Sequence, residues 1–143
     1  MHPSCYKISI EENPSDEDVL FVREGLQHFN RLHVPDDDYQ PVVLFLRDPD
    51  GTMVGGLLGE TYWGWLPIGI LWLQEAVRRQ GFGSRLLSAA EEEAARRGCR
   101  GVHLDTMSFQ ALPFYQKRGY QVFGELENLP PGNRRIFLFK KLV

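Results

Sequence analysis

The sequence has few cysteines, no long apolar run and little excess charge, and each shortage excludes a class of protein. Its two cysteines, Cys5 and Cys99, lie far apart and lack the neighbours of a zinc site, so we expect no disulfide framework and no bound metal. No apolar run approaches the ~20 residues that cross a bilayer, which predicts no membrane association. The net charge of −3 comes from scattered residues, which argues against nucleic acid as a partner.

The length and composition are those of an ordinary globular domain. A chain of 143 residues, 43% hydrophobic and 24% charged, can bury one core, so one domain is expected over residues 1–143. The N-terminus lacks the basic stretch followed by an apolar one that marks a secretory signal, and a cytoplasmic location is therefore expected. Monomer and homodimer both stay open.

Apolar periodicity and turn residues predict strands that alternate with helices. A helix is predicted between Ser15, a capping residue, and Pro35, and the residues from Asp48 to Thr52 predict a tight turn between two strands. Because hairpins accompany the alternation, a mixed α+β sheet is favoured over a doubly wound parallel one. The predicted strands are residues 6–10, 42–47, 53–62, 68–73, 102–105, 120–123 and 136–142, and the other predicted helices are residues 83–97 and 110–118.

The chemistry concentrates at residues 74–83, where the most apolar strand gives way to a helix. Gly81 and Gly83 remove the side chains that would shield the first backbone N–H groups of that helix, and such groups favour an anion. Formal positive charge comes from Arg78, Arg79 and Arg85. The loop therefore predicts a pyrophosphate site, although the same glycines could serve a turn alone.

Two other phosphate-binding loops are excluded. A P-loop needs Lys followed by Ser or Thr after its last glycine, and here Gly83 is followed by Ser84 and Arg85. A dinucleotide fingerprint needs a third glycine at the position of Leu86. The anion site must therefore belong to another class of protein.

Two segments resemble motifs A and B of the GNAT superfamily of N-acetyltransferases. The first runs from Leu71-Trp72-Leu73 through Arg78-Arg79-Gln80-Gly81-Phe82-Gly83 to Leu87. In the second, Ala111 precedes Tyr115 by four positions and the pair Gly119-Tyr120 ends the helix. The resemblance covers residues 66–124 and implies a mixed, mostly antiparallel sheet of six to seven strands flanked by about four helices.

The resemblance also implies that acetyl-CoA is the co-substrate and binds between the central strand and the next one. Its pantetheine would pair with backbone at Leu71, Leu73 and Val77, its diphosphate would bind residues 78–83, and Tyr115 would act as general acid toward the departing thiolate. Ser108 stands where relatives often carry Asn, and its hydroxyl could bind the cofactor or cap the helix. The implied cofactor-binding residues are Leu71, Leu73, Val77, Arg78, Arg79, Gln80, Gly81, Phe82, Gly83, Ser84, Ser108 and Tyr115.

The acceptor implied by the family is a primary amine, which needs a base because amines arrive protonated. Glu60 is the first choice, because Tyr62, Trp63 and Trp65 beside it could wall an acceptor pocket; the other candidates are Glu75, His103 and Asp105. A small-molecule amine is favoured over a peptide or protein amine. A non-catalytic acyl-CoA-binding module is the alternative from a different class, and an RNA- or phosphate-binding domain is disfavoured because a basic surface is lacking.

Overall fold

The computed structural model describes residues 5–143, which fall into two compact units, the described residues up to Asp36 and the residues Asp37–Val143. The first contains one helix and the second contains the sheet. None of the helices between residues 5 and 143 is both long and apolar enough to cross a membrane. That residues 1–143 form one domain stays a prediction.

The helix of the first unit begins where the sequence predicts. This helix, α1 (Asp16–Arg31), is capped by Ser15, whose hydroxyl accepts a hydrogen bond from the Asp18 N–H at 3.1 Å. Its first turn is acidic, which suits the positive end of a helix dipole, and it has no buried residue.

The strand predicted over residues 6–10 is wrong. These residues have no regular secondary structure, and Ile8 and Ile10 are almost fully exposed. Alternation of apolar residues is only one requirement of a strand, because the backbone must also pair with a neighbour. No strand ladder within the described chain includes this segment.

The second unit is a six-stranded sheet with two helices, in the strand order β1-β2-β3-β4-β6-β5. All neighbours are antiparallel except β3 and β4, which are parallel. The mixed α+β fold is thus confirmed, but the described residues form six strands and three α-helices rather than up to seven and about four. The elements are β1 (Gln40–Arg47), β2 (Met53–Thr61), β3 (Trp65–Leu73), α2 (Phe82–Arg96), β4 (Gly101–Met107), α3 (Leu112–Gln116), β5 (Gln121–Glu127) and β6 (Arg134–Lys141).

Two tight turns connect the first three strands. In the first, one carboxylate oxygen of Asp48 accepts hydrogen bonds from the N–H groups of Asp50 and Thr52, both at 2.9 Å, which confirms the predicted hairpin. In the second, Trp63 and Gly64 have positive φ angles of 49° and 77°. This two-residue turn is why β3 starts three residues before the predicted strand.

The core lies on the face of the sheet covered by α2. The predicted apolar stripe of this helix is confirmed, because Leu86, Leu87, Ala90 and Ala94 are its buried residues. From the sheet, side chains that are completely buried meet this stripe: Leu57, Leu66, Val102, Ile136 and Leu138. Dense packing on this face fixes α2 against the central strands.

The parallel pairing of β3 and β4 is short, and its end creates a gap. It extends from Trp65 opposite Gly101 to Ile68 opposite Leu104 and then stops. At Gly69 the register of β3 against β2 shifts, a β-bulge that bends the strand. Beyond this point β3 pairs only with β2, and β4 only with β6, so a cleft opens between the central strands.

Substituting Gly101 by alanine is expected to destabilise the fold by about 1–3 kcal/mol, because a core that is already full must shift. A Cβ atom there would lie 2.6 Å from the Lys140 carbonyl oxygen and 2.6 Å from the Trp65 ring. Gly124 on β5 is the matched control, since a Cβ atom there meets nothing within 4 Å. Urea unfolding of the two variants measures the difference, and equal stabilities would contradict this account.

Candidate active site

The gap between β3 and β4 opens into a cleft of about 920 Å³. Its walls come from four parts of the second unit, namely the two splayed strands, the loop before α2, the first turn of α2, and the segment around α3. The lining residues are residues 68–73, Arg78, Arg79, Gly81, Gly83, Ser84, residues 104–106, residues 109–111, residues 113–115 and Arg118.

One end of the cleft is the N-terminus of α2. The N-cap residue Gly81 has a φ of 86° and provides no side-chain hydrogen bond to the first turn. Arg79 also has a left-handed backbone, with a φ of 63°. The first N–H groups of the helix are therefore left without a side-chain cap, and together with the helix dipole they form a site for an anion.

The loop before α2 is held by its own side chains. A short 3₁₀ turn over Glu75–Val77 follows β3, and the guanidinium of Arg78 reaches back to donate to the Leu73 carbonyl at 2.9 Å. The side-chain amide of Gln80 donates to the Ala76 carbonyl at 3.2 Å. These bonds fix the loop in the shape that presents the N-terminus of α2.

The segment around α3 adds Tyr115 to the lining of the cleft. Its side chain is 7% exposed, and its ring makes edge-on contacts with Phe114 and Tyr120, at centroid distances of 5.1 Å and 5.7 Å. Burial, together with the nearby charge of Asp105, raises the pKa of the Tyr115 phenol above its usual value. The residue is therefore both a core aromatic and a protonated phenol at the cleft.

Two charged side chains line the cleft: Arg118, which the sequence patterns do not identify as a site residue, and Asp105, which they give only as a secondary candidate for the base. Arg118 donates from Nη1 to the Phe114 carbonyl at 2.8 Å and stacks over the Phe114 ring at 3.8 Å, adding positive charge to the lining. Its position one helical turn after Tyr115 is the signal that could have identified it. Asp105 is the carboxylate of the lining, and Arg135 holds it with two hydrogen bonds of 2.9 Å each.

Several predicted site residues do not line the cleft: Glu60, Val77, Gln80, Phe82 and Ser108. Glu60 lies on β2 opposite Pro41 of β1. Val77 closes the 3₁₀ turn, and Phe82 stacks with Arg85 at 5.6 Å. Leu71, Leu73, Arg78, Arg79, Gly81, Gly83, Ser84 and Tyr115 are the predicted residues that the cleft brings together.

The alternative role of Ser108 as a helix cap is wrong. The N-cap of α3 is Ala111, and the Ser108 hydroxyl instead accepts a hydrogen bond from the Arg134 N–H at 3.0 Å and contacts Asn133 at 3.3 Å. Ser108 thus ties the end of β4 to the start of β6. The helix α3 starts at Leu112, two residues later than predicted, so Ser108 lies too far before its first turn to cap it.

The other two base candidates, His103 and Glu75, are not part of the cleft lining. His103 is on β4 two residues before Asp105, its ring 6.1 Å from that of Trp65, and burial lowers its pKa. Glu75 begins the 3₁₀ turn after β3. Neither lines the cleft as Asp105 does.

The cleft has the features that the predicted co-substrate requires. Uncapped N–H groups and the guanidinium groups of Arg78, Arg79 and Arg118 suit the phosphates of acetyl-CoA. The edge of β3 from Gly69 to Leu73, which pairs with none of the described strands on the β4 side, suits the amides of its pantetheine arm. The cleft therefore combines charged and polar groups with the apolar side chains of its lining.

Comparison with known proteins identifies the family. Residues 3–120 match the acetyltransferase (GNAT) family. The chain is 37% identical over 120 residues to acetyltransferase Atu2258 of Agrobacterium fabrum, covering 84% of this chain and 88% of that protein. It is 40% identical over 93 residues to blasticidin-S acetyltransferase of Streptomyces morookaense, covering 64% and 68%.

The solved structures agree with the sequence relatives. The crystal structure of an acetyltransferase from Bacillus cereus superimposes with a TM-score of 0.86 at 33% identity, covering 94% of this chain and 98% of that one. The family match also confirms the acetyl donor, because GNAT acetyltransferases use acetyl-CoA. With the two motifs, the cleft and these relatives in agreement, the chain belongs to the GNAT family of acetyltransferases.

Proposed function

We propose that this enzyme transfers the acetyl group of acetyl-CoA to a primary amine of a small molecule, with Tyr115 as general acid. The observation that carries the proposal is that the buried, protonated phenol of Tyr115 lines the same cleft as the uncapped N-terminus of α2. An anion-binding end and a proton donor on one channel are what thioester chemistry needs.

Each part of the cleft would have its own task. The first turn of α2, with Arg78 and Arg79, would hold the diphosphate, and the free edge of β3 at Leu71 and Leu73 would pair with the pantetheine amides. Acetyl-CoA supplies an activated acetyl group as a thioester. Tyr115 would donate a proton or a hydrogen bond to the sulfur as the thiolate departs.

A small-molecule acceptor is favoured by one of the relatives. The Streptomyces morookaense protein is named for blasticidin S, a small molecule, and is 40% identical over its matched region. A peptide or protein amine is the alternative acceptor, and an acyl-CoA-binding module without activity is the alternative function. Glu60 remains the base proposed from sequence; because it does not line the cleft, it would act through water.

Acetyl-CoA is expected to stabilise the protein against heat. At about 100 times its Kd, a ligand that binds only the folded state adds about 2.7 kcal/mol, which for a domain of this size raises the Tm by on the order of 10 °C. Differential scanning fluorimetry with acetyl-CoA, and with acetyl phosphate as a control, measures the shift. An unchanged Tm with acetyl-CoA would contradict the assignment of the cleft.

Release of free thiol from acetyl-CoA tests catalysis and the acceptor class together. The acceptors to compare are blasticidin S, aminoglycosides, polyamines, amino acids and short peptides at equal concentration. Turnover with one of the small amines and none with peptides is expected. Preference for peptides would support the alternative acceptor, and binding of acetyl-CoA without any turnover would support the binding module.

A further inference from the structure

Asp105 stands at the point where the two central strands separate. The last pair of the parallel ladder is Ile68 with Leu104, so Asp105 is the first residue of β4 beyond it. It lines the cleft, and its charge is close enough to raise the pKa of Tyr115. A carboxylate therefore lies beside the place where the acetyl group of a bound donor would end.

The side chain of Asp105 points away from the helices that would hold the donor. Its neighbours Leu104 and Thr106 are buried, at 5% and 3% exposure, on the face that packs against α2. Since alternate residues of a strand point to opposite faces, Asp105 faces the other side of the sheet. A second substrate can approach the gap from that side without displacing the first.

The carboxylate is fixed in place but not saturated. Arg135 lies on β6, two residues before Phe137, the register partner of Asp105, and donates two hydrogen bonds of 2.9 Å to its carboxylate. An ionised carboxylate has about four lone-pair sites, and the guanidinium uses two. The side chain of Asp105 is 33% exposed and that of Arg135 is 37% exposed. The remaining lone-pair sites of Asp105 are therefore open to a ligand.

We infer that Asp105, oriented by Arg135, binds the cationic amine of the acceptor beside the acetyl group. This inference rests on the proposed function and adds to it the residue that recognises the amine. A carboxylate held rigidly in a partly buried site forms short, charge-assisted hydrogen bonds with an ammonium group. Acceptors should therefore be selected for positive charge at the reacting nitrogen.

The other acidic candidate fits this role less well. Glu60 lies on β2, separated from β4 by β3, and does not line the cleft. Within the lining, Asp105 is the acidic residue that shares the cleft with Tyr115. The acceptor side of the site thus depends on β4 rather than on β2.

A pair of CoA thioethers tests the inference without knowledge of the natural acceptor. S-(2-aminoethyl)-CoA places an ammonium group beyond the sulfur, where the attacking amine would lie, and S-propyl-CoA is its neutral isostere. Isothermal titration of the wild-type protein should show about 10-fold or tighter binding of the charged thioether, the size of one charge-assisted hydrogen bond. In Asp105→Asn this preference should disappear, while the affinity for S-propyl-CoA stays within about 3-fold.

Glu125→Gln is the matched control. Glu125 also pairs with an arginine, Arg134, at 2.8 Å, but it does not line the cleft, so this variant should keep the wild-type preference. Equal binding of the two thioethers to the wild type, or a preference that survives in Asp105→Asn, would overturn the inference and leave the cofactor site intact. If neither thioether bound, both the assignment of the cofactor site and the inference about Asp105 would be contradicted.

Discussion

Replacing Tyr115 by phenylalanine is expected to lower kcat by about 100- to 10,000-fold, the range that a positioned general acid contributes. The phenylalanine ring keeps the edge-on contacts with Phe114 and Tyr120, at 5.1 Å and 5.7 Å in the wild type, and removes only the hydroxyl. Binding of acetyl-CoA should change little. Steady-state kinetics and a titration with acetyl-CoA measure the two effects separately.

The pH dependence of wild-type activity should also show the ionisation of Tyr115. A tyrosine has an ordinary pKa of about 10, and burial and then the charge of Asp105 raise the pKa of Tyr115 above it. The phenol therefore keeps its proton throughout the neutral range, and loss of activity from its ionisation should begin only above pH ~10. Tyr115→Phe should lack this alkaline loss.

Tyr120→Phe is the control for loss of a buried phenol. The Tyr120 hydroxyl donates to the carboxylate of Glu91 at 2.7 Å, and Lys140 donates to the same carboxylate at 3.0 Å. Losing this bond should cost about 1–3 kcal/mol of stability with a much smaller change in kcat. If Tyr115→Phe retained full kcat, or if both variants lost kcat equally, the role of Tyr115 as acid would be refuted.

The parts of the site that the sequence predicts well are the ones set by local structure. Gly81 marks the start of α2 and Tyr115 lies within a single helical turn of α3, so the loop, the cap and the phenol depend on residues close in sequence. The apolar stripe of α2 is predicted for the same reason, because a period of 3.6 residues is visible in the chain itself.

The parts that the sequence cannot predict depend on how strands pair. Glu60 and Asp105 are both acidic residues on strands. Only the strand order and the end of the β3–β4 ladder distinguish their positions. Residues 6–10 have the alternation of a strand but no partner in the described ladders. Register is a long-range property, so the donor half of the site is predicted from sequence more fully than the acceptor half.

Replacing Gly81 by alanine is expected to raise the KM for acetyl-CoA by about 10- to 100-fold, equivalent to about 1.4–2.8 kcal/mol of lost binding. Gly81 has a φ of 86°, where a side chain is strained by about 1–2 kcal/mol. Relief of that strain would turn the loop and move the first N–H groups of α2 away from the diphosphate. The new methyl group would also project where the anion is expected to bind.

Gly98→Ala separates loss of the anion site from backbone strain alone. Gly98 follows the other end of α2, has a φ of 80° and, like Gly81, would place its Cβ atom in open space. Both variants should therefore lose a similar, small amount of stability in urea unfolding, because the strain is the same in kind. Only Gly81→Ala should weaken the binding of acetyl-CoA. The diphosphate is attracted by the N–H groups at the N-terminus of α2 and repelled by the carbonyl groups at its C-terminus. An equal rise in KM for the two variants would mean that strain, rather than the geometry of the uncapped N-terminus, controls binding of the donor.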